Sequence, residues 1–186
     1  MDHQHYGEKH FIVKWRKRRI EQLANSILAK YGIATAPVPV KRLARELGIE
    51  VQVQPLKGER EMSGILIREG SKAIVGVNAL HHENRQRFTI AHEIGHFLLH
   101  EGDRVFIDRE YRVSFRNEAS SEGTDVEEIE ANAFASALLI PESLLIADIN
   151  TNGGIDMDDV PAIERLARKY KVSRQAMMFR LVNRLG

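Results

Sequence analysis

The stretch RFTIAHEIGHFLLH, residues 87–100, constrains this chain more than any other. Ile90, Ile94, Phe97 and Leu98 recur at the spacing of a helix that buries one face. Two histidines and a glutamate sit among them. Burying one polar side chain without a partner costs a few kcal/mol, so three within a turn and a half need a shared partner.

The pentapeptide HEIGH has the form H-E-x-x-H. His92 and His96 are four positions apart and leave one face of the helix about one turn apart. That suits two imidazoles on one tetrahedral Zn2+, at roughly 2.0–2.1 Å from each nitrogen. Glu93 lies one position round the helix and can reach a water in the open ligand position, as a general base must. Gly95 leaves space beside the ion, for substrate or for packing. The competing explanation is a chance pattern whose histidines are satisfied separately; the apolar helix around it weighs against that.

A catalytic zinc takes three protein ligands and one open position. The chain has no cysteine, so neither a thiolate ligand nor a disulfide is available. The best source of a third ligand is DVEEIEANAFASALLIP, residues 125–141. Glu128 shares a helix face with Ala131, Asn132, Ala135 and Leu138, and Asn132 at i+4 could orient its carboxylate. Glu130 shares a face with Ala133, Phe134 and Ala137 and is a rival, while Glu127 reads as solvated. The alanines at 131, 133, 135 and 137 let this helix lie close to the motif helix. A surface acidic cluster at a helix N-terminus is the bland alternative for each glutamate.

Around these segments the chain reads as α+β, with a short three-stranded sheet. Helices are expected over 11–31 and 40–47, closed by Gly32 and Gly48. Ile20, Leu23, Ala24, Ile27 and Leu28 form the buried face of the first. Alternation at Ile49, Val51 and Val53 marks a strand, and 65–67 and 73–77 two more. The motif helix covers 84–100, and residues 104–123 read as a charged loop. Thr124 or Asp125 caps a helix to Leu139; further helices follow over 142–147, 160–170 and 174–184, the last capped by Ser173. This gives one domain over 11–186: helices over 11–48, sheet and zinc-site core over 49–140, and C-terminal helices over 141–186. Residues 1–10 read as a flexible, His-rich tail.

At 186 residues the chain can bury a real core, and a net charge of +1 gives no global attraction to nucleic acid or membrane. The sequence has no run long and apolar enough to span a bilayer, and MDHQHYGEKH lacks the apolar core of a signal peptide. The expected compartment is the cytoplasm, with neither nucleic acid nor membrane as partner.

Three weaker signals have bland readings. LARKYKVSRQAMMFRLVNRL has the form of a helix-turn-helix, but Ala176, Met177, Phe179, Leu181 and Val182 suit two helices packed over a core. KWRKRR, residues 14–19, could contact nucleic acid or an acidic partner, but such a run is more often a solvated helix face. In DINTNGGIDMDD, residues 148–159, the acidic and amide residues fall near the ligand positions of an EF-hand loop, so Ca2+ is a candidate there. A polar turn gives the same composition.

RFTIAHEIGHFLLH followed by EIEANAFASALLIP resembles the ImmA/IrrE family of metallo-endopeptidases. PVPVKRLARELGIEV, MSGILI and IVGVN upstream, and IERLARKYKVSRQAMMFRLVNRLG downstream, extend the resemblance over most of the chain. It implies a small zincin-like fold of the gluzincin kind, with zinc ligands at His92, His96 and Glu128 and the catalytic glutamate at Glu93. It also implies a protein substrate, a helix-turn-helix transcriptional repressor, cut at one peptide bond. Candidates to stabilise the oxyanion are His100, Tyr111 and Arg180, and the substrate is expected to add as a strand along 73–78. The alternative is a non-catalytic regulatory module that contacts a repressor or DNA through its C-terminal helices.

Overall fold

The computed structural model describes residues 3–56, 62–69, 72–100, 105–109 and 124–185. In chain order the elements are α1 (His3–Lys30), α2 (Val40–Glu46), β1 (Ile49–Gln54), β2 (Met62–Glu69), β3 (Lys72–Asn78), α3 (Glu83–Leu99), β4 (Val105–Arg109), α4 (Thr124–Leu139), α5 (Glu142–Thr151), α6 (Val160–Tyr170) and α7 (Arg174–Leu185). The class is α+β, as the sequence implies.

Helix α1 buries Ile20, Ala24, Ile27 and Leu28, the face given by its apolar spacing. Its backbone is helical from His3, within the stretch expected as a tail. Nothing there breaks a helix: the stretch has no proline, and its one glycine costs only about 1 kcal/mol relative to alanine. Gly32 and Gly48 end α1 and α2 at φ 63° and 78°, the left-handed region that favours glycine.

The sheet order is β1-β3-β2-β4. Strand β3 runs parallel to β1, with Val51 opposite Val75, and antiparallel to β2, with Leu66 opposite Val75. Strand β2 also pairs antiparallel with β4, Ile65 opposite Ile107, with an irregularity between Met62 and Gly64. Two expectations change here. The sheet has four strands rather than three, because β4 lies in the stretch read as loop. VFIDR lacks the alternation that announces a strand, and its ladder with β2 is a long-range contact. Strand β3 is internal, flanked by β1 and β2, so residues 73–78 offer no edge to a peptide.

One apolar cluster joins sheet and helices. Leu66, Val75 and Val77 meet Ile90, Ala91 and Ile94 of α3, and the cluster continues through Phe134, Ala135 and Leu138 of α4. Each such side chain contributes roughly 1.5–3 kcal/mol when fully buried. The same cluster takes in Ile163 and Tyr170 of α6 and Met177 and Leu181 of α7. The two C-terminal helices therefore cover the core. Their turn holds Lys171 at φ 51°, and Ser173 Oγ accepts from the Ala176 amide at 3.1 Å, the expected cap. Among the described residues no single helix is long and apolar enough to cross a membrane.

Candidate metal centre

Helix α3 begins at His82, whose Nδ1 accepts from the Asn84 amide at 3.2 Å. Its buried face then carries Ile90, Ala91, His92, Glu93, Ile94, Gly95 and His96 without interruption. Helix α4 crosses it closely, and Gly95 is the reason. A Cβ at position 95 would lie 3.0 Å from Ala131 Cα and 3.1 Å from Ala131 O, both backbone atoms. The space at Gly95 is therefore used for packing. The alanine on α4 completes the close approach, which brings Glu128 over the two histidines.

The imidazole Nε2 atoms of His92 and His96 are 2.9 Å apart. Glu128 Oε2 lies 3.3 Å from His92 Nε2, and Glu128 Oε1 lies 3.2 Å from His96 Nε2. Among the described residues these are the three groups that could hold a metal ion, with ligand atoms within 4.8 Å of one another. Ligand atoms around a tetrahedral Zn2+ stand about 3.3–3.6 Å apart at ordinary bond lengths. Each carboxylate oxygen stands at about that distance from one imidazole, Oε2 from His92 and Oε1 from His96, and the imidazole gap need widen by only a few tenths of an ångström. The histidine side chains are 2% and 1% exposed and that of Glu128 46%, so the group is closed on the α3 side and open on the Glu128 side.

Electrostatics favour the ligand forms. Burial lowers the His96 pKa, and the neighbouring His92 and His100 lower it further against the opposing pull of Glu128. For Glu128, burial raises the pKa, but hydrogen bonds and charge from His92 and His96 outweigh it and hold the carboxyl well below the usual range. Neutral imidazoles and an ionised carboxylate are what a metal requires.

Each histidine is also gripped from behind. His92 Nδ1 meets Asn132 Oδ1 at 2.7 Å. Asn132, expected to orient Glu128, thus orients His92 instead, because i+4 on α4 carries it across to α3. His96 Nδ1 meets His100 Nδ1 at 3.1 Å, and His100 Nε2 meets Glu130 Oε2 at 3.2 Å. Glu130, the rival for third ligand, turns away from the cluster to His100 and to Arg16 of α1. Arg68 of β2 donates to the His96 carbonyl at 2.6 Å and lies over the Phe97 ring. The His100–Glu130 contact and Arg68 went unseen in the sequence. The i+4 spacing of His96 and His100 was the available signal for the first; Arg68 had none.

Glu93 is fully buried beside β2. A Cβ at Gly64 would lie 2.9 Å from Glu93 Oε1 and would collide with Thr89 Cγ2, so glycine there makes room for the carboxylate. The candidates for the oxyanion fare poorly. His100 faces the rear nitrogen of His96. Arg180 is held in a two-pronged pair with Glu21, at 2.9 and 2.6 Å, and by the Ile140 carbonyl. Tyr111 lies outside the described residues.

Residues 148–159, the Ca2+ candidate, depart from the geometry of an EF-hand loop. Helix α5 runs to Thr151, beyond the expected end at Ala147, so the first ligand position lies inside a helix. Asp148 is engaged by Lys169 at 2.5 Å and Tyr170 Oη at 2.9 Å. Asp156 accepts from the Asp158 amide, and Asp159 caps α6 through the Ala162 amide. In the segment resembling a helix-turn-helix, several of the described cations meet acids of the same fold. Arg168 and Arg174 meet Glu164, Lys171 meets Glu83 and Arg180 meets Glu21. In the basic run, the Lys14 and Trp15 side chains lie outside the described residues.

No curated protein matches the chain. Its fold is similar to that of a Mycobacterium tuberculosis transcriptional regulator, with TM-score 0.59 and 17% identity over 86% of this chain. The chain spans 45% of that regulator's length. The family model Peptidase_M78, described as the IrrE N-terminal-like domain, matches residues 44–182, a span that includes β1, both ligand helices and the C-terminal pair. The chain belongs to the IrrE N-terminal-like domain family, a metallopeptidase-like family.

Proposed function

We propose that this protein is a zinc-dependent endopeptidase of the cytoplasm, with Zn2+ on His92, His96 and Glu128 and Glu93 as the general base. The observation that carries the reading is the convergence of two imidazole nitrogens and one carboxylate, with ligand atoms within 4.8 Å of one another, beside a buried glutamate. When bound, zinc supplies Lewis acidity toward the scissile carbonyl and acidifies the attacking water. His92 and His96 present Nε2 lone pairs because their Nδ1 atoms face Asn132 and His100. The Glu93 carboxylate takes a proton from the attacking water and delivers it to the leaving amine nitrogen. Its burial excludes bulk water that would compete for that proton.

Among the described residues β4 pairs only with β2, and β2 carries Gly64 beside Glu93. An extended peptide adding to the outer edge of β4 would therefore run on the site side of the sheet. The proposed substrate is a helix-turn-helix transcriptional repressor. The family resemblance supports that class, and the fold of a transcriptional regulator is compatible with it. The test is incubation of the zinc-loaded protein with helix-turn-helix repressors of its host, beside an unfolded general substrate. Cleavage of one repressor at one bond, lost in Glu93→Gln with zinc content unchanged, is the expected result. A fully active Glu93→Gln overturns the assignment, and binding of the repressor without cleavage favours the non-catalytic module.

A further inference from the structure

Resting on the metal-centre reading, we propose that His100 and Glu130 are positioning residues that hold His96 in the one tautomer able to bind the metal. The observation is an unbroken line of contacts. Arg16 Nη1 lies 3.0 Å from Glu130 Oε1, Glu130 Oε2 lies 3.2 Å from His100 Nε2, and His100 Nδ1 lies 3.1 Å from His96 Nδ1. His100 is 8% exposed, and Glu130 is the acid that meets it.

The direction of the protons follows from the donor count. A neutral imidazole carries one N–H, and a carboxylate only accepts. Glu130 therefore draws the His100 proton to Nε2 and leaves His100 Nδ1 bare. Bare Nδ1 accepts from His96 Nδ1, which fixes the proton of His96 on that side. The remaining nitrogen, His96 Nε2, then faces His92 Nε2 and Glu128 with a lone pair and no proton. Reversing either ring would put two acceptors together at the Glu130 contact or a proton into the ligand cluster. One carboxylate has two oxygens here, and each has its own partner. The second, Arg16, ties α1 into the line.

This line differs from the contact behind His92, where Nδ1 meets a neutral amide, Asn132. Partners of this kind behind a ligating histidine are typically worth 10–100-fold in metal affinity.

The experiment measures zinc affinity of the full chain by chelator competition, in wild type, His100→Leu, His100→Asn and Glu130→Gln. His100→Leu is expected to weaken binding by roughly 10–100-fold. In His100→Asn, Oδ1 stands near the lost Nδ1 and accepts from His96, so most of the affinity returns. Glu130→Gln keeps an acceptor oxygen without the charge and gives a smaller loss. Nitrogen-15 NMR of the zinc-loaded wild type is expected to find the proton on Nδ1 of His96 and on Nε2 of His100. A wild type that binds no zinc removes the metal-centre reading itself. With one zinc bound, the inference alone is overturned if His100→Leu matches wild type, or if His100→Asn loses as much as His100→Leu. A His100 proton found on Nδ1 overturns it whatever the variants do.

Discussion

Glu93, Glu128 and Glu130 carry the same side chain and meet different surroundings. Glu93 is sealed between α3 and β2. Glu128 is half exposed and leans on two imidazoles. Glu130 sits two positions further along α4 and reaches His100 and Arg16. Metal analysis of purified variants separates the last two. Glu128→Ala is expected to lose the ion, while Glu130→Ala keeps about one per chain with weaker affinity. Retention of zinc by Glu128→Ala would remove it from the ligand set. HEIGH was legible because its two histidines and its glutamate lie on one helix, where spacing fixes geometry. The choice between Glu128 and Glu130 was not legible from spacing, because both lie near the core side of α4 and only the docked position of α3 decides. Asn132 was misassigned for the same reason: its partner lies on another element.

The docking of α3 on α4 makes the centre. Gly95 meets Ala131 backbone, which cannot swing aside as a side chain would. Gly95→Ala is therefore expected to force the helices apart, at about 1–3 kcal/mol in stability and with weaker zinc binding. Urea denaturation and chelator competition on the same variant check both parts; an unchanged midpoint with unchanged affinity would mean the contact is easily relieved. An ion held by both helices should also act as a clasp. Zinc at a hundred times its dissociation constant is expected to add about 2.7 kcal/mol, removed by EDTA and absent in Glu128→Ala, as read by thermal unfolding. Helices were the legible elements, because α2, α3, α4 and α6 carry their periodicity and stops in local sequence. Strand β4 was not, since its identity rests on β2. The end of α5 was missed because Asp148 and Asn150 look like turn residues, yet Asp148 is anchored by Lys169 and Tyr170 of α6.

Across the whole molecule, α7 is tied to α1 by Arg180 and Glu21, whose side chains are 7% and 14% exposed. Removing one partner strands a buried charge. Arg180→Met is expected to cost about 3–5 kcal/mol, and Arg180→Met with Glu21→Leu to recover much of it. Equal urea midpoints for wild type and the single variant would show that the pair holds nothing together. The cover of α6 and α7 over the core was legible in their apolar residues, but this tie was not, for its partners are 159 positions apart.

That Glu128 reaches the histidines through the docking of α4 on α3 has a consequence in time. A ribosome adding about 5–20 residues per second makes His96 roughly two to six seconds before Glu128. Throughout that interval the growing chain carries the two imidazoles and Glu93 but not the Glu128 carboxylate that completes the cluster. The three side chains can therefore converge only once α4 has been made and docked, so any property that needs all three is withheld from a half-made chain.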